Sequence, residues 1–176
     1  MQETVIKTES KYLSFRLGNE TYAIEILKVR EIIGLLDITA VPKTANHIRG
    51  VVNLRGKIVP VLDMRAKFGL PAVEARRENC IITVMAEAAA GPLLVGILVD
   101  SVSEVMSVAG EDLEPVPALG HDMRLDFVLG LAKTQGKVSI LLDIDRVIQA
   151  ADTVSLLELE LAAAAGESGS PQTPAP

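Results

Sequence analysis

Hydrophobic and polar positions alternate over short stretches of this chain, and the stretches are separated by glycine, asparagine and proline. YLSFRL, from Tyr12 to Leu17, reads as a strand, Gly18-Asn19 is a turn signal, and Thr21 to Ile24 returns as the partner strand. Ile48 to Leu54 and Lys57 to Leu62 predict a second hairpin about Arg55-Gly56, where glycine supplies the positive φ of a tight turn. Pro60 cannot donate to a ladder, so its strand lies at an edge or loses pairing there. Asp63 to Phe68 reads as a short helix with Asp63 as its N-cap and Gly69 as its stop. Further strands are expected at Asn79 to Met85, Leu93 to Val99 and Val102 to Val108. After Ala150 the pattern changes. Ser155-Leu-Leu-Glu158 is a capping box, which predicts a C-terminal helix over 151–165, and 166–176 has the composition of a disordered tail.

The pattern also repeats. GVVNLRGKIVPVLDM, from Gly50, aligns without a gap on GLAKTQGKVSILLDI, from Gly130. A shift of 80 superposes Gly56 on Gly136, Lys57 on Lys137, Leu62 on Leu142 and Asp63 on Asp143. A shift of 73 places Ile24 on Ile97, Glu31 on Glu104 and Ile32 on Val105. The repeat implies two similar β-rich halves, about 11–70 and 79–150. Short strands with regular turns point to small closed barrels, which remove exposed sheet edges.

Composition narrows the function. The chain has 176 residues, 49% hydrophobic and only 3% aromatic, so its core is aliphatic. A net charge of -6 argues against nucleic acid as a partner and gives no attraction to anionic lipid. Cys80 is the single cysteine, which precludes an internal disulfide and suits a reducing compartment. The opening MQETVIKTESKYL has no signal-peptide apolar core, and the greasy run from Pro92 to Val99 is too short to span a bilayer. The expected location is cytoplasmic, with no direct membrane contact.

Catalytic candidates are sparse. His47 and His121 have no cysteine or second histidine at metal-ligand spacing, so neither metal nor cofactor is expected. There is no phosphate loop, dinucleotide fingerprint or nucleophile elbow. Asp63 and Asp143 occupy equivalent helix starts, where a carboxylate caps backbone N–H groups. An enzyme or small-molecule carrier would need a deep polar pocket joining Asp63, Asp143 or His47. Glu31 and Arg55 are charges set among Val, Ile and Leu. They form either a mutual pair or two solvated charges.

The segments YLSFRLGNETYAIEILKVREIIG, NHIRGVVNLRGKIVPVLDMRAKFGL, GILVDSVSEVMSV, DFVLGLAK and VSILLDIDRVI occur in order. Together they resemble the CheW-like domain of chemotaxis coupling (adaptor) proteins. The resemblance covers nearly all of 11–150. It implies two five-stranded, Src-homology-3-like β-barrels packed together, no enzymatic activity, and a role in linking chemoreceptor helical hairpin tips to the regulatory domain of the chemotaxis histidine kinase. The output would be flagellar chemotaxis or another chemosensory pathway, which the sequence does not separate. Carried over residue by residue, the receptor-gripping groove comprises Val29, Glu31, Gly50, Arg55, Cys80 and Val105. Glu31 and Arg55 then read as an acid–base pair, Val29 and Val105 as apolar wall, and Gly50 as a site of close backbone approach. Cys80 stands where a β-branched residue is expected.

Overall fold

The computed structural model describes residues 9–42, 44–88, 91–116 and 127–148. The helix expected at 151–165, the tail at 166–176 and His121 lie outside the described residues.

The fold is mainly β. Strands β1 (Ser10–Leu17) and β2 (Glu20–Glu25) form the expected hairpin, with Leu13 facing Ile24. A 3-10 turn, Ile26–Lys28, leads into β3 (Val29–Gly34). Then come β4 (Ile48–Leu54), β5 (Lys57–Asp63) and helix α1 (Met64–Lys67). The second half has β6 (Cys80–Ala88), β7 (Gly91–Val99), β8 (Ser101–Val108), β9 (Leu113–Glu114), β10 (Val128–Thr134), β11 (Lys137–Leu142) and helix α2 (Ile144–Val147). Asp63 Oδ1 accepts from the N–H groups of Arg65 and Ala66, and Asp143 Oδ1 from those of Asp145 and Arg146, so both carboxylates cap helices.

Strand order corrects the division into halves. Sheet one runs β8-β1-β2-β11-β10-β9, and sheet two runs β3-β6-β7-β5-β4. Neither sheet is built from 11–70 or from 79–150 alone. Each takes its hairpin, β1–β2 or β6–β7, from one repeat and its other strands from the other. The exchange is sealed by two parallel pairings, Leu62 beside Ile97 and Leu142 beside Ile24, which are equivalent under the repeat. The cause lies in the connections. Residues 26–28 join β2 to β3, and Asp100 alone joins β7 to β8. Neither junction contains a glycine or a positive-φ residue, so neither makes the tight reversing turn of a short hairpin. The chain runs on into the other sheet. Sheet two has the expected five strands, while sheet one has six because the two-residue β9 adds to its edge. An isolated bridge between Thr39 and Val51 fills the matching place in sheet two. Pro60 marks where pairing lapses: β5 pairs with β7 only from Val61 onward.

The exchange explains why the hairpin strands are apolar on both faces. On β1 and β2, Tyr12 and Ala23 point into a cluster with Val108, Ala132 and Leu141. Leu13, Phe15 and Ile24 point the other way, into a central core shared with Ile82, Val84 and Ile97 of sheet two. On β6, Ile81 joins Val52, Val59 and Val61 in a third cluster. Four of the five aromatic residues form one stack through the centre: Phe15–Tyr22, Tyr22–Phe68 and Phe68–Phe127, at ring separations of 6.0, 5.3 and 5.2 Å. Such pairs contribute roughly 0.5–1.5 kcal/mol each beyond simple burial.

Two ionic latches tie the repeats together. Arg65 on α1 donates through Nε and Nη2 to Asp100, at 2.8 Å each, and Asp100 also accepts the N–H of Gly18. The hydrogen bond from Arg65 holds the Asp100 carboxyl below its usual range, against a smaller opposing effect of burial. At the equivalent place in the other repeat, Lys28 Nζ lies 2.8 Å from Asp145 Oδ2, and Asp145 Oδ1 accepts the N–H of Glu87. The design is the same with the charges reversed: a cation on the helix in one latch, an anion in the other.

Candidate functional site

Of the six groove residues expected from sequence, Glu31 and Arg55 are joined directly. Arg55 occupies the β4–β5 turn with φ 53, followed by Gly56 at φ 86, and Asn53 Oδ1 accepts the Gly56 N–H. This geometry aims the guanidinium at Glu31. Nη1 donates to Oε2 at 3.1 Å and Nη2 to Oε1 at 2.5 Å, a two-point fork. The hydrogen bond to Arg55 lowers the Glu31 pKa, partly offset by desolvation, and the same bond raises that of Arg55.

The placement of this pair reports the shape of sheet two. Glu31 lies on β3 and Arg55 follows β4, the first and last strands in the order. In a flat sheet those edges would be roughly 19 Å apart, four strand spacings of about 4.8 Å. Contact therefore requires the sheet to curl on itself, and the pair clasps the two edges.

Glu31 is itself held by a residue that sequence reasoning missed. Thr83, 1% exposed, accepts the Glu31 N–H at its hydroxyl and donates the same hydroxyl to the Glu31 carbonyl, at 3.0 and 3.2 Å. It does so at a bulge in the β3–β6 ladder between Val29 and Glu31. Buried Ser14 brackets Glu104 in the same way, accepting its N–H at 3.2 Å and donating to its carbonyl at 2.9 Å. The signal available was the repeat, since Glu31 and Glu104 are equivalent and each faces a buried hydroxyl.

The remaining four residues are divided between the two sheets. Val29 is half-buried at the start of β3, beside Val84, and packs on the central core. Cys80 is half-buried at the far end of the same strand pair, opposite Gly34, with Sγ 3.3 Å from the Glu78 carbonyl oxygen. Val105 is on β8 in sheet one and 52% exposed; its repeat partner Ile32 is 45% exposed on β3. Gly50 is buried. Its close backbone contact is with this chain's own Thr39, because a Cβ at Gly50 would stand 2.0 Å from the Thr39 carbonyl oxygen. Gly50 thus supports the β4 edge from beneath.

A cavity of about 50 Å³ beside Asp63 is lined by Arg49, Arg65 and Asp100, and includes neither Asp143 nor His47. Asp63 is also paired with Arg49 at 2.6 Å. Among the described residues no group of three or more His, Cys, Asp or Glu side chains could hold a metal, and no helix is long and apolar enough to cross a membrane.

Comparison with known proteins agrees with this architecture. A family model described as the CheW-like domain matches residues 11–152. Chemotaxis protein CheW of Klebsiella aerogenes is 39% identical over 138 residues, 78% of this chain and 81% of the relative. Chemotaxis protein CheW of Rhizobium meliloti is 32% identical over 135 residues, 77% of this chain and 84% of the relative. The crystal structure of the scaffolding protein TtCheW from Thermoanaerobacter tengcongensis superposes with a TM-score of 0.70 at 32% identity, covering 82% of this chain and 96% of that one.

Proposed function

Since the chain belongs to the CheW-like domain family, we propose that it is a non-enzymatic chemosensory adaptor that couples chemoreceptor helical hairpin tips to the regulatory domain of the chemotaxis histidine kinase. The observation that carries the reading is the Glu31–Arg55 clasp, which fixes the edge of sheet two next to the β3–β6 surface holding Val29 and Cys80. The two sheets share one aliphatic core, and Asp63 and Asp143, the carboxylates a small-molecule site would need, are engaged as helix caps.

Binding follows from packing. An apolar groove takes the apolar face of an amphipathic helix. Each fully buried Val or Leu contributes roughly 1.5–3 kcal/mol, and a half-buried wall such as Val29 contributes less. Two or three such anchors only modestly exceed the cost of association. Each contact is therefore weak alone, and an array of receptors, adaptors and kinases makes it effective by multivalency. The adaptor is cytoplasmic and reaches the membrane through the receptors it grips. Its signalling step is a change in packing between partners, with no covalent chemistry in this chain.

The test is a pull-down with a receptor tip fragment and the kinase regulatory domain, tested separately and together. The wild-type chain retains both. Arg55→Glu sets two anions against each other at the clasp, so it loses the receptor fragment while keeping the kinase domain. Undiminished receptor capture by that variant, with its fold intact, refutes the placement of the groove.

A further inference from the structure

The repeat places a second clasp position in sheet one. Glu104 on β8 corresponds to Glu31 on β3, and both are bracketed by a buried hydroxyl at a bulge. Gln135 in the β10–β11 turn corresponds to Arg55, and the two have the same φ of 53. Lys137 corresponds to Lys57. The backbones of the two clasps match, but the guanidinium is present in one only. Where Arg55 forks onto Glu31, Gln135 offers a neutral amide. Among the described residues the Glu104 carboxylate has no ion-pair partner. Glu104 and Gln135 line one cavity of about 120 Å³, together with Ser103, Thr134, Arg16 and Lys137.

We infer that this cavity is a docking site for an arginine side chain supplied by a protein partner, which completes in trans the clasp that Arg55 makes in cis. The chain's own pair is the template for the ligand: a planar fork that meets both carboxylate oxygens. The flanking cations do not take its place. Lys57 stands in the position of Lys137 in the first clasp and leaves Glu31 to Arg55. Arg16 directs Nη2 toward the Gly18 carbonyl oxygen at 3.5 Å. A lysine of the partner would fit less well, because an ammonium is a point donor without a second arm. The site lies on sheet one, apart from the Glu31–Arg55 clasp, and its test does not depend on the adaptor role.

The test is an amide NMR titration of the full chain with N-acetyl-arginine amide, with N-acetyl-citrulline amide as the neutral isostere. Saturable shifts are expected at the amides of Ser103, Glu104 and Gln135 with the arginine compound only. Glu104→Gln weakens its binding at least fivefold without lowering the melting temperature. Gln135→Arg fills the site from within, so binding disappears while the melting temperature rises. The inference is overturned if the arginine compound gives no saturable shifts at these amides, if citrulline binds equally well, or if Gln135→Arg binds like wild type.

Discussion

Replacing Gly50 with alanine separates a supporting role from a contact role. The new Cβ would lie 2.0 Å from the Thr39 carbonyl oxygen and 2.7 Å from its carbon, and the backbone φ of +143° is one that alanine adopts only under strain. A carbonyl cannot yield like a flexible side chain, so residues around Thr39 must move off β4. That movement breaks the bonds from Thr39 N–H to Val51 O and from Val51 N–H to Thr39 O, at 2.8 and 2.9 Å. Each is worth about 0.5–1.5 kcal/mol, and the strained backbone costs about 1–3 kcal/mol more. The expected loss is roughly 2–6 kcal/mol, a large part of the ~5–15 kcal/mol that holds a domain together. Gly130 is the internal control. Its Cβ would meet the Glu114 carbonyl oxygen at 2.8 Å, but its φ lies outside the left-handed region and its next neighbour is the flexible Leu113 side chain. Gly130→Ala therefore costs less, about 1–3 kcal/mol, as ordinary overpacking does. Denaturant unfolding of both variants is the assay. A Gly50→Ala loss under 0.5 kcal/mol, or a larger loss at Gly130, refutes the reasoning.

Three further outcomes are expected. Thr83→Val removes the hydroxyl that serves both backbone groups of Glu31, so unfolding free energy falls by about 1–3 kcal/mol and receptor capture falls with it; unchanged stability contradicts the role of Thr83. Because the Asp100 pKa is depressed in the folded chain, its stabilisation is complete above the unfolded value of about 3.9 and is lost as pH falls through the lower folded value. Melting temperature against pH should then show wild type above Asp100→Asn at pH 7, with the two curves converging in acid; parallel curves exclude the latch. Phe68→Ala interrupts the aromatic stack in two places and costs about 3 kcal/mol, read as a lower denaturant midpoint, and an unchanged midpoint shows that the stack is dispensable.

Much of this fold is local and was legible. The hairpin turns at Gly18, Arg55-Gly56 and Gln135-Gly136, and the caps at Asp63 and Asp143, depend on residues a few positions apart. The residue pattern showed Glu31 and Arg55 as opposite charges in apolar surroundings but left open whether they pair; the expectation of a pair came from the family resemblance. The hairpin exchange was not. Leu62 can face Ile97 or Ile24 with the same side chains, so a repeated sequence satisfies pairing within or across repeats equally well. The choice is made by the junctions at 26–28, a single 3-10 turn, and at Asp100, neither of which reverses the chain tightly. The latches were hidden for a related reason: Lys28 and Asp145 are 117 residues apart, and no spacing rule joins them. Ser14 and Thr83 read as polar positions on strands, and only the tertiary fold shows that each hydroxyl is spent on the backbone of a glutamate. Gly50 was legible as a place of close approach, but the identity of the approaching backbone was not.

The most direct test of the clasp as the organiser of the receptor surface is a charge swap in a reconstituted mixture of receptor fragments, kinase and this chain. Receptor-dependent kinase activity should fall at least tenfold (about 1.4 kcal/mol of coupling) with Arg55→Glu or Glu31→Arg alone. It should recover substantially when both are present, because the pair re-forms with its polarity reversed. Full activity in either single variant, or a double variant no better than the worse single one, contradicts the account.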